Sequence, residues 1–208
     1  AGCDAPAEPS APTQEQLSTQ STEQTQPSTE PTQETIQPDP MEPTEHEPAP
    51  NPFEPWDFAY VDGYLTCTAA PAMLGVDVSK YQGDIDWQKV AAAGVEFAMI
   101  RIGNRGYGAA GKISLDGYAL DNIAQAQAAG LQVGVYFYSQ ALNEAEAIEE
   151  AEFVLDALTG IQLQLPVTFD WEVFENGETK GRTYGMKAEE VTPCAVAFCE
   201  TIRAAGRQ

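Results

Sequence analysis

The sequence predicts an α/β fold: a βα series curling into a barrel, of which about four βα units are present, preceded by a disordered Pro, Thr, Gln and Glu-rich segment. Three observations carry this reading. From residue 75 onward, apolar strand-like runs alternate with amphipathic stretches of helical period. Three of the four strand runs are near-continuous apolar segments, the pattern of parallel strands covered by helices on one side and core on the other. Finally, Asp77, Arg101, Tyr138, Asp170 and Glu172 all fall at the C-terminal ends of successive strands. Right-handed crossovers allow an open doubly wound sheet or a closed barrel. Strand ends converge on one mouth in a barrel, so the barrel is preferred.

The chain divides into three parts. Residues 1–55 hold 12 of the 15 prolines and almost no large apolar side chain. Low hydrophobicity and one-signed charge provide too little burial to offset chain entropy, so an extended, self-repelling acidic linker is expected. Its start, Ala-Gly-Cys, resembles the last residues of a bacterial lipobox, which makes Cys3 a candidate lipidation site and the only expected tie to a membrane. Residues 56–74 form a flanking segment. Around it Phe53, Trp56, Phe58, Tyr60 and Tyr64 are closely spaced, as in a flap packed on the domain or a sticky linker.

Residues 75–208 form the globular part. The run 75–79 (GVDVS) reads as a first strand, and 86–93 as a short helix stopped by Gly94. The second strand spans 96–102 (EFAMIRI), and a Gly-rich loop follows at 103–111, a rim segment whose Tyr107 is placed to stack on a sugar. A helix over 116–129 ends at Gly130, and 132–138 (QVGVYFY) is the third strand. The next helix, 143–158, is capped by Asn143 and carries acids in its first turn, where the helix dipole favours them. The fourth strand is 165–171, and the last helix 188–205.

Composition excludes several chemistries. The formal charge is −22 with pI about 4.1, and residues 1–74 contain 13 acids and no Lys or Arg. Phosphate recognition needs clustered cations, so no nucleic-acid partner is expected. The lone histidine, His46, lies in the linker, which removes histidine-based nucleophilic catalysis and the common zinc sites from the globular part. Cys3, Cys67, Cys194 and Cys199 show no metal-ligand spacing, and the last two are read as buried thiols on different faces of one helix. No metal and no cofactor are expected. The Gly-rich loop lacks the Lys-Ser or Lys-Thr of a phosphate loop.

Carboxylate chemistry is what remains. In LPVTFDWE, a period-2 strand puts Asp170 and Glu172 on one face, roughly 6.5 to 7 Å apart along the backbone. Two acids at that spacing, read as buried, can hold different protonation states near neutral pH and share one substrate.

Three ordered blocks, GVDVSKYQGDIDWQKVAAAGVEFAMIRIG, DGYALDNIAQAQAAGLQVGVYFYSQA and LPVTFDWE, resemble glycoside hydrolase family 25, the muramidase-type lysozymes. The resemblance implies a modified (β/α) barrel. It also implies hydrolysis, without a cofactor, of the β-1,4 bond between N-acetylmuramic acid and N-acetylglucosamine in peptidoglycan. Carried over by motif, Glu172 is the general acid, Asp170 the charge that stabilises an oxocarbenium or orients the acetamido group, and Asp77 a further active-site carboxylate. Arg101, Asp116, Tyr136 and Tyr138 match positions near the groove. Phe137 stands where many members have His, which removes a sugar contact and no acid. The sequence stops at Gln208, where the family continues into its fifth strand, so it reads as a truncated form of a longer protein. A monomeric enzyme of the cell surface or cell wall is expected. The alternative is a non-catalytic peptidoglycan-binding module on a lipoprotein stalk, which would have no need of three buried acids.

Overall fold

The computed structural model describes residues 50–208, which form one compact unit. Cys3, the expected lipidation site, His46 and the linker before residue 50 lie outside the described residues.

The chain first makes a hairpin, β1 (Phe58–Val61) and β2 (Tyr64–Cys67), paired antiparallel with Val61 opposite Tyr64. Asp62 and Gly63 form its turn with φ of 51° and 86°, the left-handed pair that such two-residue turns require. Of the two expectations for this aromatic segment, a flap and a sticky linker, the hairpin satisfies part of each. Val61, Tyr64 and Thr66 line a hollow with Met73, Leu74 and Glu96 of the domain, while Trp56 and Tyr60 are 76% and 77% exposed.

The main sheet contains β3 (Gly75–Val78), β4 (Phe97–Arg105), β6 (Gln132–Ser139) and β7 (Val167–Trp171), parallel and in that spatial order. The short β5 (Ile113–Leu115) runs antiparallel on the end of β4. Sequential order without reversal is the arrangement of a barrel wall, whereas a doubly wound sheet reverses at its switch point. Helices α1 (Trp87–Ala92), α2 (Ala119–Ala128), α3 (Glu144–Ala157) and α4 (Ala188–Ala204) follow the parallel strands. A small hairpin, β8 (Glu175–Asn176) and β9 (Thr179–Lys180), fills the connection from β7 to α4.

The core lies between the sheet and the helices. Ile100, Ile102, Val133, Val135 and Phe137 from the strands cluster with Ile123, Ala126, Ala151, Val154, Phe198 and Ile202 from the helices, all buried. Phe198 packs 5.2 Å from Phe169 and 6.4 Å from Phe137, centroid to centroid. The other face of the sheet is open. Met99, Arg101, Tyr136 and Tyr138 on the opposite face are only half-buried, because among the described residues no strand stands across from them.

Two local departures from the sequence pattern shape the mouth of the sheet. The second strand continues through residues 103–105, which the sequence pattern places in the Gly-rich loop. A bulge between Arg101 and Gly103 shifts the register there. An extra residue flips the alternation, so Arg101 and Asn104 both reach the open face while Ile102, Gly103 and Arg105 are buried. The helix expected from residue 116 starts instead at Ala119, because Asp116 is drawn into a polar cluster below the mouth. Asn143 caps α3 as read, accepting from the Glu146 amide, whereas Asp86, read as the first residue of α1, is its N-cap and accepts from the Lys89 amide. Cys194 is buried, but Cys199 is exposed, which corrects the reading of both as buried thiols.

Candidate active site

The C-terminal ends of the parallel strands bound a cleft of about 540 Å³, walled by Tyr81, Arg101, Tyr136, Tyr138, Asp170 and Glu172. A second hollow, of about 330 Å³, lies at the N-terminal end of β7 between residues 162–167 and the last three residues, and no acidic side chain lines it. Only the first has the groups for acid–base chemistry.

Each wall residue has a local reason for its place. After β3 the DVSKYQ motif closes a 3-10 turn: Gln82 Oε1 accepts from the Ser79 amide at 2.7 Å, and Ser79 Oγ accepts from the Tyr81 amide at 3.3 Å. That turn carries Tyr81 to the rim, where the Arg101 guanidinium lies 5.0 Å from its ring centroid. Arg101 is held from below, its Nε and NH2 both donating to Asp116 Oδ2 at 2.9 and 2.7 Å. The same carboxylate accepts from the Lys80 and Tyr118 amides, so one buried acid joins three connections around the mouth. Asp116, expected near the groove, therefore lies beneath Arg101 with both oxygens occupied.

The paired ladder places Tyr138 opposite Asp170 and ends with Ser139 opposite Trp171. Glu172 comes one residue past the strand. Tyr136 donates its hydroxyl to Asp77 Oδ1 at 3.3 Å, linking the first-strand acid to the wall. Desolvation, then the nearby Asp77 carboxylate, pushes the Tyr136 hydroxyl well above its usual range. Desolvation and the Glu172 and Asp170 charges also raise the Tyr138 hydroxyl. Both phenols thus remain hydrogen-bond donors throughout the working pH range.

Burial lifts the Asp170 carboxyl to about 6, helped by the charges of Glu172 and Asp77 and opposed by Arg101. The expectation of three buried acids needs correction, since Asp170 is half-buried while Asp77 and Glu172 are exposed. On an open wall, acids at strand ends keep contact with water. Tyr107, expected to stack on a sugar, lines the cleft and is half exposed, with one face of its ring stacked on Phe174 at 3.8 Å and nearly parallel. Among the described residues no three His, Cys, Asp or Glu side chains gather to hold a metal ion, and no helix is long and apolar enough to cross a membrane.

The sequence reading overlooked the buried polar layer under the cleft. Glu150 in α3 accepts from Arg105 Nε and Ser139 Oγ at 2.7 and 2.6 Å, and Gln140 and Thr183 are buried beside it. Glu150 could have been noticed as the one acid on the stripe formed by Ala147, Ala151 and Val154.

The family model for glycosyl hydrolases family 25 matches residues 76–208, more than half of the chain and all of its main sheet but Gly75. The chain belongs to this family. The fold of family 25 is seen as well in solved structures. The modular autolysin LytC from Streptococcus pneumoniae superposes with a TM-score of 0.56 at 21% identity, over 73% of this chain and 36% of LytC. A family 25 glycosyl hydrolase from Bacillus anthracis gives 0.53 at 24% identity, over 72% of this chain and 60% of that one. The spore cortex lytic enzyme SleM from Clostridium perfringens gives 0.52 at 17%, over 64% and 41% respectively. This chain therefore spans between about a third and three fifths of the length of these relatives. No curated protein sequence matches it.

Proposed function

We propose that this family 25 chain hydrolyses the β-1,4 bond between N-acetylmuramic acid and N-acetylglucosamine in peptidoglycan, the lysozyme reaction (EC 3.2.1.17). The observation that carries the proposal is the convergence of Asp170 and Glu172, with Arg101, Tyr136 and Tyr138, on one cleft at the strand ends. Support comes also from LytC, which is an autolysin and has been solved with a synthetic peptidoglycan ligand.

In this mechanism Glu172 protonates the glycosidic oxygen as the bond to the anomeric carbon breaks. Asp170, as the carboxylate, faces the positive charge that develops on the sugar or holds its acetamido group. Water then adds to the anomeric carbon and its proton returns to Glu172. Asp77 keeps the Tyr136 hydroxyl oriented and raises the proton affinity of Asp170. Arg101, Tyr136 and Tyr138 contact the sugars, and Asp116 acts through Arg101. A peptidoglycan substrate is consistent with a protein that works outside the cell or in the cell wall; that it acts as a monomer with Cys3 as its lipid anchor is part of the same proposal.

Glu172→Gln should abolish release of reducing ends from purified peptidoglycan while the variant stays folded by circular dichroism. Full activity in that variant would refute the assignment. The raised proton affinity of Asp170 favours a second reading in which the two acids exchange roles. An aryl glycoside with a good leaving group needs no protonation, so the variant lacking the acid retains turnover on it. Retention by Asp170→Asn, and not by Glu172→Gln, selects the exchanged roles. Equal binding to peptidoglycan with no reducing ends released from wild type would point to the non-catalytic module.

A further inference from the structure

The polar layer beneath the cleft contains a group that continues the sheet where its backbone ladder stops. The last paired residues are Ser139 of β6 and Trp171 of β7. Beyond them the β6 backbone turns toward α3: the Gln140 amide donates to Glu150 Oε1 at 3.4 Å and the Ala141 amide to Ser139 Oγ at 3.1 Å. No β6 amide is left for the carbonyl of Glu172. The Gln140 side chain supplies the missing donor, its Nε2 reaching Glu172 O at 2.6 Å.

That amide has no freedom to be elsewhere. Nε2 also donates to Ser139 O at 3.1 Å, and Oε1 accepts from Thr183 Oγ1 at 2.9 Å. Both Nε2 partners are carbonyl oxygens, which only accept, so the orientation of the amide is unambiguous. Gln140, Thr183 and Glu150 are all 0% exposed. Water cannot replace any of these bonds without opening the core.

We propose that Gln140 is a positioning residue for Glu172, adding one side-chain rung to the β6–β7 ladder so that the acid leaves the strand in a single direction. Thr183 locks the rung, and the Glu150–Arg105 pair anchors the Gln140 main chain to α3. The inference rests on the reading of Glu172 as an acid of the reaction. An exposed side chain gains little orientation from its own surroundings, so the geometry of its main chain decides where it points. Misplacement of a reacting group by about 1 Å costs on the order of 100-fold in rate.

The test uses the full chain with Gln140→Met, Thr183→Val, Thr183→Ser and Glu172→Gln. Reducing-end release from peptidoglycan gives kcat and KM, and hydrogen exchange read by mass spectrometry tracks residues 171–176. Gln140→Met should lower kcat on the order of 10- to 100-fold with KM within about twofold, because the sugar contacts stay in place. Exchange should quicken at 171–176 and stay unchanged at 132–138. Thr183→Val removes only the hydroxyl and should show a smaller loss of the same kind, which Thr183→Ser restores. Should Gln140→Met fail to fold, the Thr183 pair decides. Wild-type kcat and exchange in both Gln140→Met and Thr183→Val would overturn the proposal. Activity in Glu172→Gln would instead overturn the role of Glu172, and the exchange data would then show whether the rung exists without a catalytic purpose.

Discussion

Replacing Asp170 with Asn should stabilise the protein at neutral pH and leave it unchanged in acid. Burial, with the Glu172 and Asp77 charges behind it, lifts this carboxyl from 3.8 to about 6 against the pull of Arg101. At about 1.4 kcal/mol per pH unit, the ionised form is disfavoured in the folded state by up to ~3 kcal/mol. The cleft is open to water, which screens the neighbouring charges and reduces the figure to ~1–2 kcal/mol. Because the folded value lies above the unfolded one, the contribution of Asp170 is fully favourable below about pH 4 and is lost as the pH rises through about 6. Asparagine cannot ionise and escapes that loss. For a domain of this size the gain amounts to roughly 3–6 °C in Tm above about pH 7. Differential scanning calorimetry of both proteins between about pH 3.5 and 8 reads it directly. A gain independent of pH would refute the reasoning, and a loss at neutral pH would show that Arg101 outweighs burial and the two carboxylates.

Three further outcomes are expected from the same geometry. Asp77→Asn removes one of the charges that raise Asp170, so the acid-side limb of the kcat profile should move to lower pH; a limb that stays put or rises would break the coupling. Arg105→Met should cost ~3–5 kcal/mol in urea denaturation, because Glu150 is left charged and unpaired among buried groups. Adding Glu150→Gln should recover part of that loss, and additive losses would argue against it. Gly134→Ala should destabilise by ~1–3 kcal/mol, since its Cβ would meet Met99 Sδ at 2.6 Å and Pro166 O at 2.9 Å; an unchanged Tm would contradict so tight an approach.

Much of the architecture could be read from residue order because its signals are local. Glycines at 94, 130 and 160 end helices in left-handed conformations with φ of 89°, 89° and 77°, where any other residue is strained. Asn143 caps α3 through a bond three residues long. The period-2 and helical patterns depend on near neighbours too, so the strand order was legible in the sequence, as were the places of Asp77, Tyr138, Asp170 and Glu172 at or next to strand ends; Arg101 lies inside β4, which runs on to Arg105. The bulge at Ile102 was not. Its residues alternate normally in sequence, and only pairing with β6 reveals the extra one.

The sequence by itself determined the chemistry available to the domain: acids and tyrosines at strand ends, no histidine after residue 46, and the DVSKYQ turn that builds one wall. Tertiary structure decided the state and support of those groups. Asp170 and Glu172 look equivalent in LPVTFDWE, yet one is half-buried between two carboxylates and an arginine, and the other stands exposed past the last rung. Tyr107 looks unsupported in its loop, yet Phe174, 67 residues away, stacks on one face of its ring. Gln140, Glu150 and Thr183 form a single buried layer although each looks ordinary in its own stretch. Burial and proton affinity depend on what the fold brings within a few ångströms, and in a βα series those neighbours come from strands and helices dozens of residues apart.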